Sequence, residues 1–310
     1  MKKRFFMSAA LVVCFVVTTF TFSVSSWAVD SKTLELAQKE GKVVWYTTMP
    51  TKAWKNIKTA FEAKYPIELE VFKAGSHDIT GRYQTEVAAN RDTADLIHIT
   101  DMVFFIDMLQ QGNLLFYDSP EFKAYTKLPY GWVYPGYIVP LRVMPIASMV
   151  NTKVVDWKSI KSYEDMLDPK YKGMIGAGDV AGSSRAYLVY YGLRNKYGMD
   201  FYKKLTALDA QYYESSEKAL TQCMAGEWPI LSEAWVYKDY PGRVLKKGPV
   251  HSVFVKEGVV IVPAPCTIMK QAKHPNAAKV FQDFIYSQET QMLIGKTIGV
   301  HSGRSDVPSP

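Results

Sequence analysis

Short apolar strands alternate with helix-like segments along most of this chain, and that alternation constrains the fold more than any other feature. In the first part, residues 42–46, 67–74 and 94–99 have the character of strands. Each strand precedes a segment in which apolar residues recur at helical spacing. Strands that alternate with helices in this way pair in parallel, with the helices packed on the sheet. The sequence therefore predicts a doubly wound α/β unit.

The middle of the chain repeats this pattern. Strands are expected at 173–177, 211–214 and 229–231, and helices are expected to begin near Ser183 and Ser216. A glycine-rich loop precedes the first of these helices. The pattern predicts a second α/β unit.

Two extended segments, at 137–149 and 259–265, would connect the two units. An amphipathic helix close to the C-terminus would then return to the first unit. We therefore expect two lobes with a cleft between them. The first lobe comprises 29–139 and 264–310, and the second comprises 140–263.

Residues 1–28 have the layout of a secretory signal peptide. Three basic residues follow the first methionine, an apolar run spans 5–22, and a small-residue pattern ends at Ala28, after which cleavage is expected. The alternative is a permanent membrane anchor, because the run is almost long enough to span a bilayer. Hydroxyl residues within the run and the cleavage pattern favour export to the periplasm.

Composition excludes one class of partner. Removal of the signal peptide lowers the formal net charge from +7 to +4, and no block of basic residues is present. This mild excess is compatible with anion capture, but it is not typical of nucleic-acid binding. Cys223 and Cys266 remain, and an exported protein can join them in a disulfide. Free buried thiols are the other interpretation.

The loops that follow the predicted strands are rich in polar side chains. Ligands of open α/β sheets bind beyond the carboxyl ends of the strands, so both sets of loops would face the cleft. The segment from Gly178 to Arg185 is the sharpest signal, because backbone N–H groups at a helix start converge on one spot and favour an anion. Ser183 could instead simply cap the helix. Trp235 would offer a face to an organic ligand, and Glu233 would either accept from that ligand or form a surface ion pair. The expected ligand-binding residues are Thr47, Thr48, Ser76, His77, Asp101, Gly182, Ser183, Ser184, Arg185, Ser215, Ser216, Glu233 and Trp235.

Several short segments occur in a characteristic order and spacing. They include 44–47 (VWYT), 94–101 (ADLIHITD), 182–184 (GSS), 225–227 (AGE) and 274–279 (HPNAAK). Together they resemble type II periplasmic solute-binding proteins of ABC importers, in the ferric-iron and sugar-phosphate-binding branch. The resemblance implies two lobes joined by a hinge, each lobe a doubly wound mixed sheet flanked by helices. It also implies an anion on the loop at 182–184, a monomer, and delivery of the solute to permease subunits in the inner membrane.

The iron ligands of this branch are not matched. In ferric-binding members two adjacent tyrosines, a histidine and a carboxylate hold the metal. Ala234 and Trp235 stand at the tyrosine positions, Pro50 stands at the histidine position, and Asp101 lies near the carboxylate position. Because Fe(III) prefers phenolate and carboxylate oxygens, we expect no metal and no cofactor. The expected ligand is a small anionic organic solute: a phosphate ester, a phosphonate or a carboxylate. Ferric iron with a synergistic anion is the alternative, and a ligand-presenting sensor subunit is another.

No enzyme signature is present in the sequence. The five histidines do not occur at metal-ligand spacing. The serine elbow of hydrolases, the phosphate-binding lysine loop and the dinucleotide fingerprint are absent from the sequence. We therefore expect a carrier that binds its solute without converting it.

Overall fold

The computed structural model describes residues 30–91, 93–126, 128–129, 131–213 and 215–310, except for the side chain of Ser184. The expected signal peptide lies outside these residues. Among the described residues, none of the helices combines the length and the apolar character needed to cross a bilayer.

Ten strands and eight α-helices form the described part of the chain. The strands are β1 Lys42–Thr47, β2 Glu68–Lys73, β3 Leu96–His98, β4 Pro140–Asn151, β5 Ile175–Gly178, β6 Gln211–Tyr213, β7 Ile230–Trp235, β8 Val250–Val253, β9 Val260–Ile268 and β10 His301–Ser302. The helices are α1 Ser31–Glu40, α2 Thr51–Lys64, α3 Ser76–Ala88, α4 Met102–Gln110, α5 Ser184–Ala207, α6 Ser216–Ala225, α7 Pro275–Tyr286 and α8 Gln288–Ile298.

The strands form one mixed path in the order β2-β1-β3-β9-β4-β7-β5-β6, with β8 and β10 paired to β4. Strand β1 is parallel to β2 and β3, and β5 is parallel to β6 and β7. These pairings confirm the parallel units expected in the two parts of the chain. Antiparallel pairs join them, because β9 pairs with both β3 and β4, and β4 pairs with β7.

Strand β9 links the two halves of the sheet. Its last residues, from Cys266, pair with β3, and its earlier residues, up to Pro265, pair with β4. The sequence predicts an extended connector at 259–265 and a separate last strand around 267–269, and this separation was wrong. The connector and the strand are one element, because the antiparallel partners on either side satisfy its backbone along the whole length.

Each half has its own apolar core. Phe281 of α7 lies 5.2 Å from Trp45 and 5.1 Å from Phe61, measured between ring centroids. The amphipathic helix near the C-terminus therefore returns to the β1–β3 half, as the sequence predicts. In the other half, Ile146 and Ile230 are fully buried in a separate cluster.

Helix α3 begins earlier than the sequence suggested. The sequence predicts a loop at 75–77 and a helix capped by Asp78, but Gly75 is the N-cap and Asp78 lies in the first turn. A carboxylate in the first turn is favourable because it faces the positive end of the helix dipole. The earlier start brings Ser76 to the tip of the helix.

Candidate functional site

A cleft of about 1130 Å³ opens between the two halves of the sheet. It is lined by residues 75–78 and 100–103 from one half and by residues 180–183 from the other. Helices α3, α4, α5 and α6 all begin at this cleft, because Ser76, Met102, Ser183 and Ser216 line it. The N-terminus of a helix carries partial positive charge and unpaired N–H groups, which favour an anion. Two of these ends already carry a carboxylate, Asp78 in the first turn of α3 and Asp101 at the N-cap of α4, so α5 and α6 are the ends that favour an anion.

Eight of the predicted site residues line this cleft. Thr47, Thr48, Ser215 and Glu233 are not among its lining residues, and the side chain of Ser184 lies outside the described part of the chain. The eight residues that the fold brings together are Ser76, His77, Asp101, Gly182, Ser183, Arg185, Ser216 and Trp235.

Ser183 has both of the roles that the sequence left open. Its Oγ accepts from the backbone N–H of Ala186 at 3.4 Å, which caps α5. The same residue lines the cleft. Asp179 stabilises the turn before it by accepting from the N–H of Ala181 at 3.0 Å. Capping and ligand contact are therefore compatible at this position.

Arg185 is held at the base of the loop. Its side chain is 2% exposed, and Nη1 donates to the carbonyl oxygen of Glu233 at 2.6 Å. The guanidinium also lies over the ring of Tyr213, 5.0 Å from its centroid. Within the described residues, Nη2 of Arg185 has no hydrogen-bond partner. A buried donor without a partner is costly, and Nη2 is also closed to solvent in this conformation.

Glu233 lies behind the loop and away from the surface. Its carboxylate accepts from the backbone N–H of Gly178 and from Oγ of Ser232. Burial raises the pKa of Glu233, and the charge of Arg185 opposes that shift. Glu233 therefore orders the loop and compensates the charge of Arg185.

The opposite wall of the cleft is polar. Oγ of Ser76 lies 3.1 Å from Oγ1 of Thr100. This hydrogen bond connects the start of α3 to the loop before α4. Asp101 caps α4 by accepting from the N–H of Phe104 at 3.1 Å. His77 is exposed. These groups can contact hydroxyl or amine groups of a bound solute.

Apolar side chains at the rim were missed by the sequence reasoning. Val103 is 67% exposed and Tyr187 is 52% exposed, and they line the cleft from opposite halves. Leu188 and Trp235 also line it, and the Trp235 ring stacks on Tyr237 at 6.2 Å. The sequence could have indicated Val103 and Tyr187, because each is an apolar residue outside the buried face of its helix. A cluster of exposed apolar side chains is unusual on the surface of a monomer.

A buried basic group, also missed, lies beside the end of β1. Arg142 of β4 is 2% exposed, its Nε donates to Nε2 of His98 at 3.2 Å, and its Nη2 donates to Oγ1 of Thr48 at 3.3 Å. Nδ1 of His98 lies 2.7 Å from Oγ1 of Thr47. This network accounts for Thr47 and Thr48 as structural contacts.

Burial lowers the pKa values of Arg142 and His98. It lowers the pKa of Arg142 to about 10, and the titratable neighbours that oppose the shift are Tyr237 and Cys266. Burial and the charge of Arg142 together hold the pKa of His98 well below its ordinary value. Arg142 thus carries a buried charge that no carboxylate of the described residues compensates.

The metal-binding side chains that the structure describes are dispersed. Among the described residues, His, Cys, Asp and Glu side chains do not form any group of three that could hold a metal ion. Ala234 and Trp235 end β7 without a phenolate. Tyr187 and Asp101 line the cleft from opposite halves, so one phenol and one carboxylate of the kinds that Fe(III) prefers are present there.

The chain is similar to known proteins over most of its length. Residues 91–303 match the family model described as "Bacterial extracellular solute-binding protein". A comparison with curated protein sequences finds no match.

Solved structures share the fold at low sequence identity. Iron-bound HitA from Pseudomonas aeruginosa is 20% identical, with a TM-score of 0.74, over 87% of this chain and 88% of that chain. AfuA from Actinobacillus pleuropneumoniae, with fructose-6-phosphate bound, is 22% identical, with a TM-score of 0.72, over 87% of each chain. FutA from Trichodesmium, in complex with iron and citrate, is 18% identical, with a TM-score of 0.64, over 87% of this chain and 89% of that chain. These similarities confirm the expected two-lobed fold with mixed sheets flanked by helices.

Proposed function

Because this chain belongs to the bacterial extracellular solute-binding proteins, the substrate-binding components of ABC transporters, we propose that it captures a small anionic organic solute in its cleft. Proteins of this family bind a substrate for transport and are not enzymes, in agreement with the expectation from sequence. Their extracytoplasmic location also agrees with the expected export to the periplasm. The ligand class is the part that we propose.

One observation supports an anionic ligand more than any other. Arg185 is buried, lines the cleft beside Ser183 at the start of α5, and has a free Nη2 within the described residues. A phosphate, phosphonate or carboxylate on this loop would accept from the Ser183 hydroxyl and from backbone N–H groups, and from Nη2 of Arg185 after a shift that exposes that atom to the cleft. Each of these contacts is stronger in a site from which water is excluded.

The remainder of the solute is organic. Trp235, Val103 and Tyr187 give the cleft apolar faces, and burying such faces stabilises a complex in proportion to the area covered. A bare metal ion would leave them exposed. Ser76 and Asp101 would contact polar groups of the solute on the opposite wall.

Lobe closure is the proposed mechanism. The lobes would be 29–139 with 264–310, and 140–263. This division agrees with β9 crossing between them near Pro265 and with four apolar clusters that each lie mainly within one lobe. Closure around the solute would bury Val103 and Tyr187 and create the shape that the permease recognises. We further propose that the signal peptide is removed after Ala28 and that the mature protein is a monomer.

The decisive experiment combines native mass spectrometry with calorimetry. Protein purified without refolding should carry an organic anion, which is then removed and titrated back. Ser183→Asp should abolish binding, because it places a negative charge against the ligand. Asp caps helices as well as Ser does, so α5 should keep its start. Ser287→Asp, at the N-cap of α8, is the matched control and should bind normally. Retained affinity in Ser183→Asp would place the anion elsewhere.

A further inference from the structure

A second pocket of about 620 Å³ lies outside the cleft and shares none of its lining residues. It is formed by the segment around Trp157, by the segment around β8, and by the chain near Gly299. We call it the outer pocket and define it by six side chains: Trp157, Lys158, Lys161, Arg243, His251 and Ser252.

The outer pocket has an aromatic wall. The rings of Trp157 and His251 lie 4.5 Å apart between centroids, at an interplanar angle of 50°. Trp157 remains exposed although it is large and apolar. Nζ of Lys158 lies 5.7 Å from the centroid of the Trp157 ring. A planar ring would therefore stack on Trp157 beside or in place of this ammonium.

The same pocket carries positive charge. Lys158 and Lys161 are exposed, and neither is paired with a carboxylate among the described residues. Arg243 is paired, since its Nη2 lies 2.7 Å from Oδ2 of Asp239. The two lysines therefore leave the rim of the aromatic wall with an excess of positive charge.

A buried hydroxyl without a partner points to a ligand. Ser252 is only 7% exposed, and its Oγ has no hydrogen-bond partner within the described residues. Its backbone N–H donates to Oδ1 of Asp239 at 3.2 Å, which fixes the residue in place. An unsatisfied buried hydroxyl costs free energy unless another molecule bonds to it. The Oγ is closed to solvent in this conformation, so a ligand in the pocket would reach it after a small shift of the pocket wall.

From these three features we propose that the outer pocket is a binding site for a planar aromatic anion, separate from the transported solute. The ring stacks on Trp157, the anionic group lies between Lys158 and Lys161, and a polar substituent of the ring bonds to Ser252. Aromatic stacking and charge act together here, so neither a neutral aromatic nor an aliphatic anion satisfies the whole site.

The test uses 1-naphthoate as the probe, with neutral 1-naphthamide and aliphatic cyclohexanecarboxylate as matched comparisons. Calorimetry and saturation-transfer NMR on the mature protein should show 1-naphthoate binding with a Kd of about 0.1–1 mM, as expected for a small ligand on a partly open site. The two comparison compounds should bind at least about tenfold more weakly. Equal binding of naphthamide, or no binding of naphthoate, would overturn the proposal.

Variants place the probe in the outer pocket. Trp157→Leu and the double change Lys158→Glu with Lys161→Glu should each weaken naphthoate binding about tenfold or more. Lys32→Glu, on an exposed position of α1, is the charge control and should bind normally. Ser183→Asp should leave naphthoate binding unchanged, and loss of binding in this variant instead would assign the probe to the cleft and overturn the proposal.

Ser252→Ala separates a ligand contact from a structural role. Because the Oγ has no partner, its removal should leave the melting temperature unchanged or raise it, while naphthoate binding weakens about threefold or more. A lower melting temperature with unchanged binding would show that the hydroxyl only supports the fold, and it would contradict the proposed contact.

Discussion

Arg185 and Glu233 form a buried ion pair behind the cleft, with Nη1 of the arginine 3.8 Å from Oε1 of the glutamate. The same Oε1 accepts a hydrogen bond from the N–H of Gly178. The ion pair is therefore connected to the first residue of the loop at 178–183. The negative charge of Glu233 offsets the desolvation of Arg185 in the absence of ligand. An incoming anion therefore meets an arginine whose charge is already partly compensated.

Glu233→Gln should destabilise the protein and strengthen anion binding. Removing one partner of a buried pair leaves an uncompensated charge, which costs about 3 kcal/mol of unfolding free energy. The same change removes a negative charge beside the loop, so affinity for the anion should rise several-fold. Urea unfolding measures the change in stability, and calorimetry measures the change in affinity.

The control is Asp200→Asn, which removes an exposed ion pair with Lys203 and should change stability by less than about 1 kcal/mol. A Glu233→Gln variant as stable as wild type would contradict the importance of the pair.

Adding Fe(III) with citrate to the apo protein should not produce a phenolate-to-iron absorption band. The described His, Cys, Asp and Glu side chains form no group of three that could hold a metal ion. Among the described residues, Tyr187 is the phenol that lines the cleft, so it is the side chain that could give such a band. A visible band that disappears in Tyr187→Phe would show that iron is held and would contradict the proposed ligand class.

Asp283 should give the protein a stability that rises as the pH falls from about 6 towards 4. Tyr117 and Ser119 donate to its carboxylate at 2.7 and 2.5 Å, but burial outweighs them and raises the pKa to about 6. The folded state thus binds this proton more tightly than the unfolded state, so the group costs stability above pH 6. The full effect is about 3 kcal/mol. Urea unfolding of wild type and Asp283→Asn at pH 7, 5.5 and 4.5 should show a flatter pH dependence in the variant. Parallel curves would contradict the assignment.

Cys223 and Cys266 should remain unreactive until the protein unfolds. Both are free and buried, and burial raises the pKa of both thiols, that of Cys223 to about 12. The thiolate is the reactive form of cysteine. Ellman's reagent should therefore detect no free thiol in the native mature protein and two free thiols after denaturation without reductant. Zero thiols after denaturation would reveal a disulfide.

The sequence was most informative where the signal was local. Helix α6, Ser216–Ala225, has the expected bounds, because Ser215 caps it and Gly226 ends it in the left-handed conformation. The loop before Ser183 was predicted for the same reason, because glycine permits a tight turn and serine caps a helix whatever the distant residues are. Helix α1 was missed because only Ala37 of its residues is buried, so it shows almost no apolar periodicity.

Residues whose role depends on distant partners could not be found in this way. Glu233 and Trp235 lie two residues apart on β7, yet Trp235 lines the cleft and Glu233 is buried behind it. Arg185 of α5 covers Glu233, and no local pattern predicts that contact. Arg142 was missed because its burial follows from the central position of β4, which pairs with four other strands.

Arg142→Met should give a protein that is at least as stable as wild type and binds its anion more weakly. The buried guanidinium has only neutral partners, His98 and Thr48, among the described residues. Burying a charge without a counter-charge is costly, so an apolar side chain of similar length should maintain or raise the unfolding free energy, by about 1 kcal/mol or more. A protein keeps such a group when function requires it. Arg142 does not line the cleft, so its charge would strengthen anion binding through the field it adds and not by direct contact. Arg185→Met is the matched comparison: that arginine has a carboxylate partner, so its loss should destabilise the fold by leaving Glu233 uncompensated. Urea unfolding at pH 7.5, where His98 is neutral in both states, measures the stabilities, and calorimetry should show at least about tenfold weaker anion binding in Arg142→Met. A destabilised Arg142→Met with unchanged affinity would show that the hydrogen bonds to His98 and Thr48, and not the charge, are the reason for the arginine.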